Sequence, residues 1–288
     1  LSHTGQKIRT RTTALGVGLL LAVMLLVPGA QSHKWSMQAQ GPTASAQAAA
    51  GLRVGSPRGA SATVQRIADG RRSALLIGDS QSAGAANVPG NRTWPQEALR
   101  SVGYDVHFVG GGGLGFVASK RGGSPNYPTA LKQHLWPMPA EQPALIVVEG
   151  GGNDARIGAS RQRILQGVDE TINALTQQYP GSHLLMIGTL AGLPTVNGSR
   201  RASVDSLLGS YARERGIAFV GAGDWLARYG LEGQLADRVH LNQAGHDALA
   251  TVLASRLREL GLAPGDGTEP AISWQGAKPR TNEVGTIR

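Results

Sequence analysis

A chain of 288 residues is long enough for one ordinary domain with extensions, and its lack of cysteine excludes a disulfide framework or a thiolate metal site. The net charge of +9 sits at one end. Residues 1–72 hold nine Lys/Arg against one acid, residues 73–260 hold sixteen basic and fifteen acidic residues, and the tail from Gly261 holds three of each. A nucleic-acid-binding domain carries its own basic surface, so no nucleic-acid partner is expected for the balanced region.

In chain order, Lys7, Arg9 and Arg11 precede an uncharged stretch, Thr12 to His33, whose apolar heart is Ala14 to Val27. A positive flank, an apolar core and then small residues form the layout of a secretory signal, and the core approaches the length of a membrane span. Residues 1–33 are therefore expected to be a signal peptide or a single-span anchor, with the basic residues on the cytoplasmic side. Either reading exports the rest of the chain. Residues 34–71 are rich in Ala, Ser, Gly and Gln with little apolar periodicity, and read as a flexible linker. A domain over 72–260 follows, then a loose Gly-, Pro- and Thr-rich tail over 261–288.

Within the domain, apolar runs alternate with amphipathic stretches. Strands are expected at Ala74–Gly78, Val106–Gly110, Ala144–Glu149, His183–Gly188 and Ile217–Gly221. Between them, Thr93 to Gln96 has the spacing of a capping box ahead of Ala98, Leu99 and Val102. Ile164, Leu165, Val168, Ile172 and Leu175 keep helical spacing, as do Val204, Leu207, Leu208 and Tyr211. A last helix starts at Asn242, turns Leu249, Val252, Leu253, Leu257 and Leu260 inward, and stops at Gly261. Strand–helix alternation of this kind implies a three-layer α/β/α fold around a five-stranded parallel sheet, order 2-1-3-4-5.

The run Ser73 to Gly84 is the centre of that pattern. Its apolar strand ends in Gly78-Asp79-Ser80, which presents a hydroxyl at the strand's carboxyl end, where open α/β sheets bind ligands. The glycine block Gly110 to Gly115 follows strand two, Gly151-Gly152-Asn153-Asp154 follows strand three, and Asp237 to His240 precedes the last helix. All fall at one end of the sheet. The loop from Ala222 to Val239 is long enough to bring His240 back over Ser80.

The ordered set resembles the SGNH hydrolases, or GDSL-type esterases and lipases, in Gly78-Asp79-Ser80-Gln81-Ser82, in G-x-N-D at Gly151 to Asp154, and in D-x-x-H at Asp237 to His240. Gln81 departs from the pattern, standing where the family's name has leucine, and is expected to affect the wall of the site. The resemblance implies Ser80 as nucleophile, His240 as general base and Asp237 as the carboxylate that orients it. It also implies an oxyanion hole from the N–H of Ser80, the N–H of a glycine (Gly115 first, Gly113 second) and the Asn153 amide. No metal and no cofactor are implied. The expected function is an extracytoplasmic serine esterase acting on short acyl esters, with envelope carbohydrate the leading substrate and lipid esters second. An acyltransferase on the same scaffold and a non-catalytic carbohydrate-binding domain are the alternatives. Oligomeric state is left open.

Several residues invite other readings. His246 competes with His240 as base but is carried away along the last helix, so a structural role is expected. Gly110, Gly112 and Gly115 also fit a dinucleotide fingerprint, but they follow the second strand and no ribose-binding acid lies about 20 residues on. Trp94 and Trp225 are expected to pack in the core. Ser119 to Pro139, with Tyr127, Trp136 and Met138, is the expected substrate-facing insert.

Overall fold

The computed structural model describes residues 72–120, 122–192 and 198–265. The expected signal or anchor, the linker and most of the tail lie outside the described residues. Five strands, β1 (Arg72–Gly78), β2 (Tyr104–Gly110), β3 (Leu145–Glu149), β4 (His183–Ile187) and β5 (Ala218–Val220), form one parallel sheet in the order β2-β1-β3-β4-β5. Eight α-helices are described: α1 (Ser80–Ala83), α2 (Trp94–Ser101), α3 (Tyr127–Lys132), α4 (Gly152–Arg156), α5 (Arg161–Gln178), α6 (Gly198–Arg215), α7 (Trp225–Arg228) and α8 (Gln243–Glu259).

The two-residue period of the strands splits the core into two layers. Ala74, Leu76, Leu145, Val147, Leu185 and Ile187 face α2, α7 and α8, with Trp94 and Trp225 fully enclosed there and 5.6 Å apart edge to face. Leu75, Ile77, Ile146, Val148, Leu184 and Met186 face α3, α5 and α6. Strands buried on both faces read as continuous apolar runs, which is why the central ones are visible in the sequence. No helix among the described residues is long and apolar enough to cross a membrane.

The edges of elements differ from expectation where local pattern is silent. β1 and β2 begin two residues earlier, because Arg72 and Ser73 continue the ladder against Tyr104 and Asp105 with polar side chains. β5, at the sheet's edge, is shorter than expected. The capping box at Thr93 does not form. The Thr93 hydroxyl donates instead to the Ser82 and Gly90 carbonyls, and Gln96 Nε2 donates to the same Ser82 carbonyl at 2.9 Å. The first N–H of α2, on Trp94, donates to His246 Nδ1 at 3.0 Å. A distant histidine thus satisfies the orphan donor that a local cap would have taken.

Asn242 does cap α8, accepting from the Gly245 N–H at 2.9 Å, and Gly261 ends it in the left-handed region, φ 66°. Leu249, Leu253 and Leu257 turn inward, but Leu260 is 36% exposed and Val252 only half-buried. Leu262, one residue past the helix stop, takes the inward place. It is buried, and its carbonyl accepts from the Tyr104 hydroxyl at 2.6 Å.

Candidate active site

β1 delivers Ser80 to the carboxyl edge through a turn that only glycine fits. A Cβ on Gly78 would overlap the Ser82 side chain and press on Glu149, and one on Gly110 would overlap the Gly78 carbonyl oxygen. Gly110 itself adopts φ +128°, and its neighbour's N–H, on Gly111, donates to Gly78 at 3.0 Å. The ends of β1 and β2 are locked together at backbone contact. Asp79 then caps α1 by accepting from the Gln81 N–H at 2.8 Å, which leaves Ser80 as the first helical residue.

Ser80 lies 157 and 160 residues before Asp237 and His240, yet the three meet in one hydrogen-bonded line. His240 Nε2 lies 2.9 Å from Ser80 Oγ and His240 Nδ1 lies 2.7 Å from Asp237 Oδ2. The second Asp237 oxygen accepts from the N–H groups of Val239 and His240. Desolvation would raise the Asp237 pKa, but these three hydrogen bonds outweigh it and lower the carboxyl below its ordinary value. The four-residue turn is closed by the Ala236 N–H to the His240 carbonyl and by a bridge between Leu235 and Leu241. Arg238 at its apex has φ +72°, a strained conformation for a non-glycine residue, and the surrounding bonds hold it there.

Gln81 secures this loop to the nucleophile's helix. Its Nε2 donates to the Val239 carbonyl at 3.0 Å, while its Oε1 is buried with no partner among the described residues. The residue that departs from the family pattern therefore ties α1 to the backbone immediately before His240.

Beneath the line lies a set of buried polar groups that no local pattern announced. Glu149, the last residue of β3, is 1% exposed and accepts from the Asp79 N–H and the Ser82 hydroxyl. Burial, with the Asp79 charge adding to it, holds the Glu149 carboxyl well above its ordinary pKa. Asp79 is also raised by burial. Arg201, on the first turns of α6, is buried and faces both carboxylates, its desolvation lowering its pKa. Ser82, the second serine of the block, is thus committed to Glu149 and turned away from the cleft.

Asp154, the last residue of the G-x-N-D pattern, is fully buried. It accepts from the N–H groups of Phe116, Val117 and Ala118 at 2.8–3.0 Å, so α4 fixes the loop that follows β2. Asn153 beside it donates from Nδ2 to the Leu114 carbonyl at 2.9 Å and to Asp79 Oδ2 at 3.1 Å, and its Oδ1 accepts from Arg156 Nε at 3.3 Å. These partners set which way the amide faces.

The glycine block corrects one expectation. The Gly115 N–H donates to the Ala118 carbonyl at 2.9 Å, and a Cβ there would press on the Asp154 carboxylate, so Gly115 faces Asp154 and not Ser80. Gly112 and Gly113 line the cleft with Ser80, Asn153 and His240. A Cβ on Gly112 would stand 3.7 Å from that of Ser80. Among the described residues, the N–H groups of Ser80, Gly112 and Gly113 have no hydrogen-bond partner.

Two further expectations resolve away from the cleft. His246 is buried as the acceptor for α2 and does not approach Ser80's hydroxyl. In the expected substrate-facing insert, Tyr127 is fully buried with its hydroxyl on the Glu149 carbonyl, and Trp136 packs on its ring at 6.0 Å. The described residues of that segment build the core under α3, and none of them lines the cleft. Among the described residues, no cluster of His, Asp and Glu could hold a metal ion.

A doubly wound parallel sheet carrying Ser, His and Asp in one line at its carboxyl edge defines a class of α/β protein. The chain belongs to the GDSL-like lipase/acylhydrolase family, whose model matches residues 76–248. Solved structures agree on the fold. A lipolytic protein of the G-D-S-L family from Veillonella parvula is 19% identical over 65% of this chain and 99% of its own, TM-score 0.51. Est24, a carbohydrate acetylesterase from Sinorhizobium meliloti, is 18% identical over 66% of this chain and all of its own, TM-score 0.52. A family two carbohydrate esterase from Cellvibrio japonicus is 19% identical over 65% of this chain and 61% of its own, TM-score 0.51. No curated protein sequence matches the chain.

Proposed function

We propose that this family member is an exported serine esterase that hydrolyses short-chain acyl esters through an acyl-enzyme. The observation that carries the reading is the line Ser80–His240–Asp237, at 2.9 Å and 2.7 Å. Ser80 Oγ attacks the ester carbonyl carbon while its proton passes to His240 Nε2. Asp237 holds the ring with Nδ1–H toward itself and stabilises the imidazolium that forms. The negative charge on the carbonyl oxygen is received by the free N–H groups of Ser80 and Gly112, and Asn153 Nδ2 becomes a third donor by turning one hydrogen away from Asp79 Oδ2, the longer of its two bonds. The C–O bond to the alcohol breaks, and the alcohol leaves with the proton from His240. Water then attacks the acyl-Ser80 ester by the same route in reverse order, releasing the acid.

The preference for short acyl groups rests on the cleft. It measures about 430 Å³, and among its described lining residues Val239 is the one apolar side chain larger than alanine, whereas a long acyl chain needs an apolar groove. Export rests on Lys7, Arg9 and Arg11 ahead of the apolar run Ala14 to Val27, which serves as a cleaved signal or a single-span anchor. Acetylated carbohydrate outside the cytoplasmic membrane is the substrate class that joins these two features.

The test is labelling by a fluorophosphonate, in which the serine oxygen displaces fluoride at phosphorus. Wild-type protein is expected to be labelled and to hydrolyse 4-nitrophenyl acetate, and Ser80→Ala to do neither. Ser82→Ala is expected to keep both, because Ser82 is bonded to Glu149. Labelling that survives Ser80→Ala in folded protein overturns the reading.

A further inference from the structure

The cleft wall beside Asn153 holds charge that the hydrolytic chemistry does not use. Arg156, on the last turn of α4, is exposed and lines the cleft, and its Nε donates to Asn153 Oδ1 at 3.3 Å. Arg201 lines the same wall from α6, which packs against α4. Arg200, also exposed, brings a guanidinium within 3.5 Å of where a Cβ on Gly158 would stand, just after α4. Two guanidiniums, of Arg156 and Arg201, thus line one side of the oxyanion site, and that of Arg200 lies just beyond the end of α4.

Their compensation is unequal. Arg201 faces the buried Asp79 and Glu149, so its charge is answered from below. None of the ion pairs among the described residues involves Arg156 or Arg200; those pairs use Arg92, Arg215, Arg228 and Arg256. Of the nearby carboxylates, Asp79, which lines the cleft, faces Arg201, and Asp237 is taken up by His240. Burial lowers the Arg201 pKa, and the like charge of Arg156 lowers it further. With Nε spent on Asn153, the two terminal nitrogens of Arg156 remain, a planar fork suited to two oxygens of one anion.

We propose that Arg156, supported by Arg200, receives an oxyanionic group, carboxylate or phosphate, on the alcohol part of the ester. The inference rests on the esterase reading above. If the acyl group is short and seated on the glycine wall, the anion belongs to the alcohol. The substrate class narrows accordingly, to acyl esters of acidic or phosphorylated polyols. Arg156 is the specificity-determining contact, one residue's length from the amide that holds the scissile carbonyl.

The test compares esters with the same acetyl group: 4-acetoxybenzoate and 4-acetoxyphenyl phosphate against the neutral methyl 4-acetoxybenzoate. For each, kcat/KM is measured in wild type, Arg156→Met and Arg156→Lys. The anionic-to-neutral ratio is expected to fall at least about tenfold in Arg156→Met, the scale of a charge-assisted hydrogen bond, and to be partly restored by Arg156→Lys. In wild type the ratio should also fall as salt rises from ~0.05 to ~0.5 M, since the contact lies at a solvated rim. The carboxylate and phosphate arms distinguish the two chemistries. An unchanged ratio in Arg156→Met, with both rates lowered equally, overturns the proposal and leaves Arg156 as a support for the Asn153 amide. Binding of the anionic and neutral esters to Ser80→Ala protein separates the two ideas. Equal affinity there overturns the anion site, whereas failure of wild type to hydrolyse any of the esters overturns the esterase reading.

Discussion

Asn153 answers two demands at once, and its substitution separates them. Its amide donates to Asp79 Oδ2 and to the Leu114 carbonyl, so it both satisfies a buried carboxyl oxygen and ties α4 to the loop after β2. In the proposed mechanism one of these two hydrogens turns to charge that appears only in the transition state. Asn153→Ala is expected to lower kcat by ~10²–10³ with little change in KM, the usual cost of one oxyanion donor. It should also cost about 1–3 kcal/mol of stability, because Asp79 Oδ2 is left buried without its donor. Asn153→Asp should be worse, since it sets a carboxylate against Asp79 and beside the developing oxyanion. Steady-state kinetics on 4-nitrophenyl acetate, with urea denaturation of each variant, reads both effects. Near-wild-type kcat in folded Asn153→Ala would reduce Asn153 to a turn residue.

Elements in this fold are joined by side chains that serve as each other's caps. α2 begins on a nitrogen of α8: the Trp94 N–H donates to His246 Nδ1, which requires the histidine to be neutral on that side. Burial lowers the His246 pKa from 6.5 to about 4. An unfolded chain binds a proton there below about 6.5 while the folded chain does not until about 4, so this histidine's contribution is full above pH 6.5 and is lost as pH falls. At ~1.4 kcal/mol per unit of pKa the contribution is about 3 kcal/mol at most. Asp205 titrates in the same window with the opposite sign. Burial raises it from 3.8 to about 6, so it favours the folded state below 3.8 and loses that advantage as pH rises. Wild-type stability alone therefore mixes the two. The difference between wild type and His246→Asn, which keeps an acceptor near the Nδ1 position, isolates the histidine. His246→Asn is expected to be less stable at pH 7 and to close that gap between pH 6.5 and 4, followed by denaturation at each pH. A gap constant across the window would show that His246 is protonated equally in both states.

The whole molecule closes its core with residues beyond the last helix. Leu262 is buried among the residues under α2 and α8, and its carbonyl holds the Tyr104 hydroxyl that begins β2. A protein of residues 72–265 is expected to fold and to match the full chain in kcat/KM on 4-nitrophenyl acetate. One ending at Leu260 should be less stable by about 1.5–3 kcal/mol, the value of burying one leucine side chain. Thermal unfolding of the two proteins measures the difference; equal Tm values would show that Leu262 adds nothing. Failure of the 72–265 protein to fold would place part of the core before Arg72.

The order of the motifs and the sheet were legible in the sequence because both are local. An apolar run of five residues marks a strand buried on two faces, and Gly-Asp-Ser, Gly-x-Asn-Asp and Asp-x-x-His each describe a single turn. The short spacing of Asp237 and His240 even contains their hydrogen bond. Partners far apart in the chain left no such trace. Nothing near Gln81 shows that it will bond the Val239 carbonyl, nor near Glu149 that it will sit beneath Ser82, nor near His246 that it will cap α2. The four consecutive glycines at 110–113 look alike in sequence; the backbone decides that Gly112, not Gly115, faces the serine. The arginine wall came from α4 and α6, separated by more than forty residues and brought together only by packing on the sheet. Backbone conformation is chosen largely by neighbours in sequence, so it can be read from a pattern. A buried charge or a lone amide is stabilised by whatever group the fold brings opposite it, and that group is decided by tertiary structure.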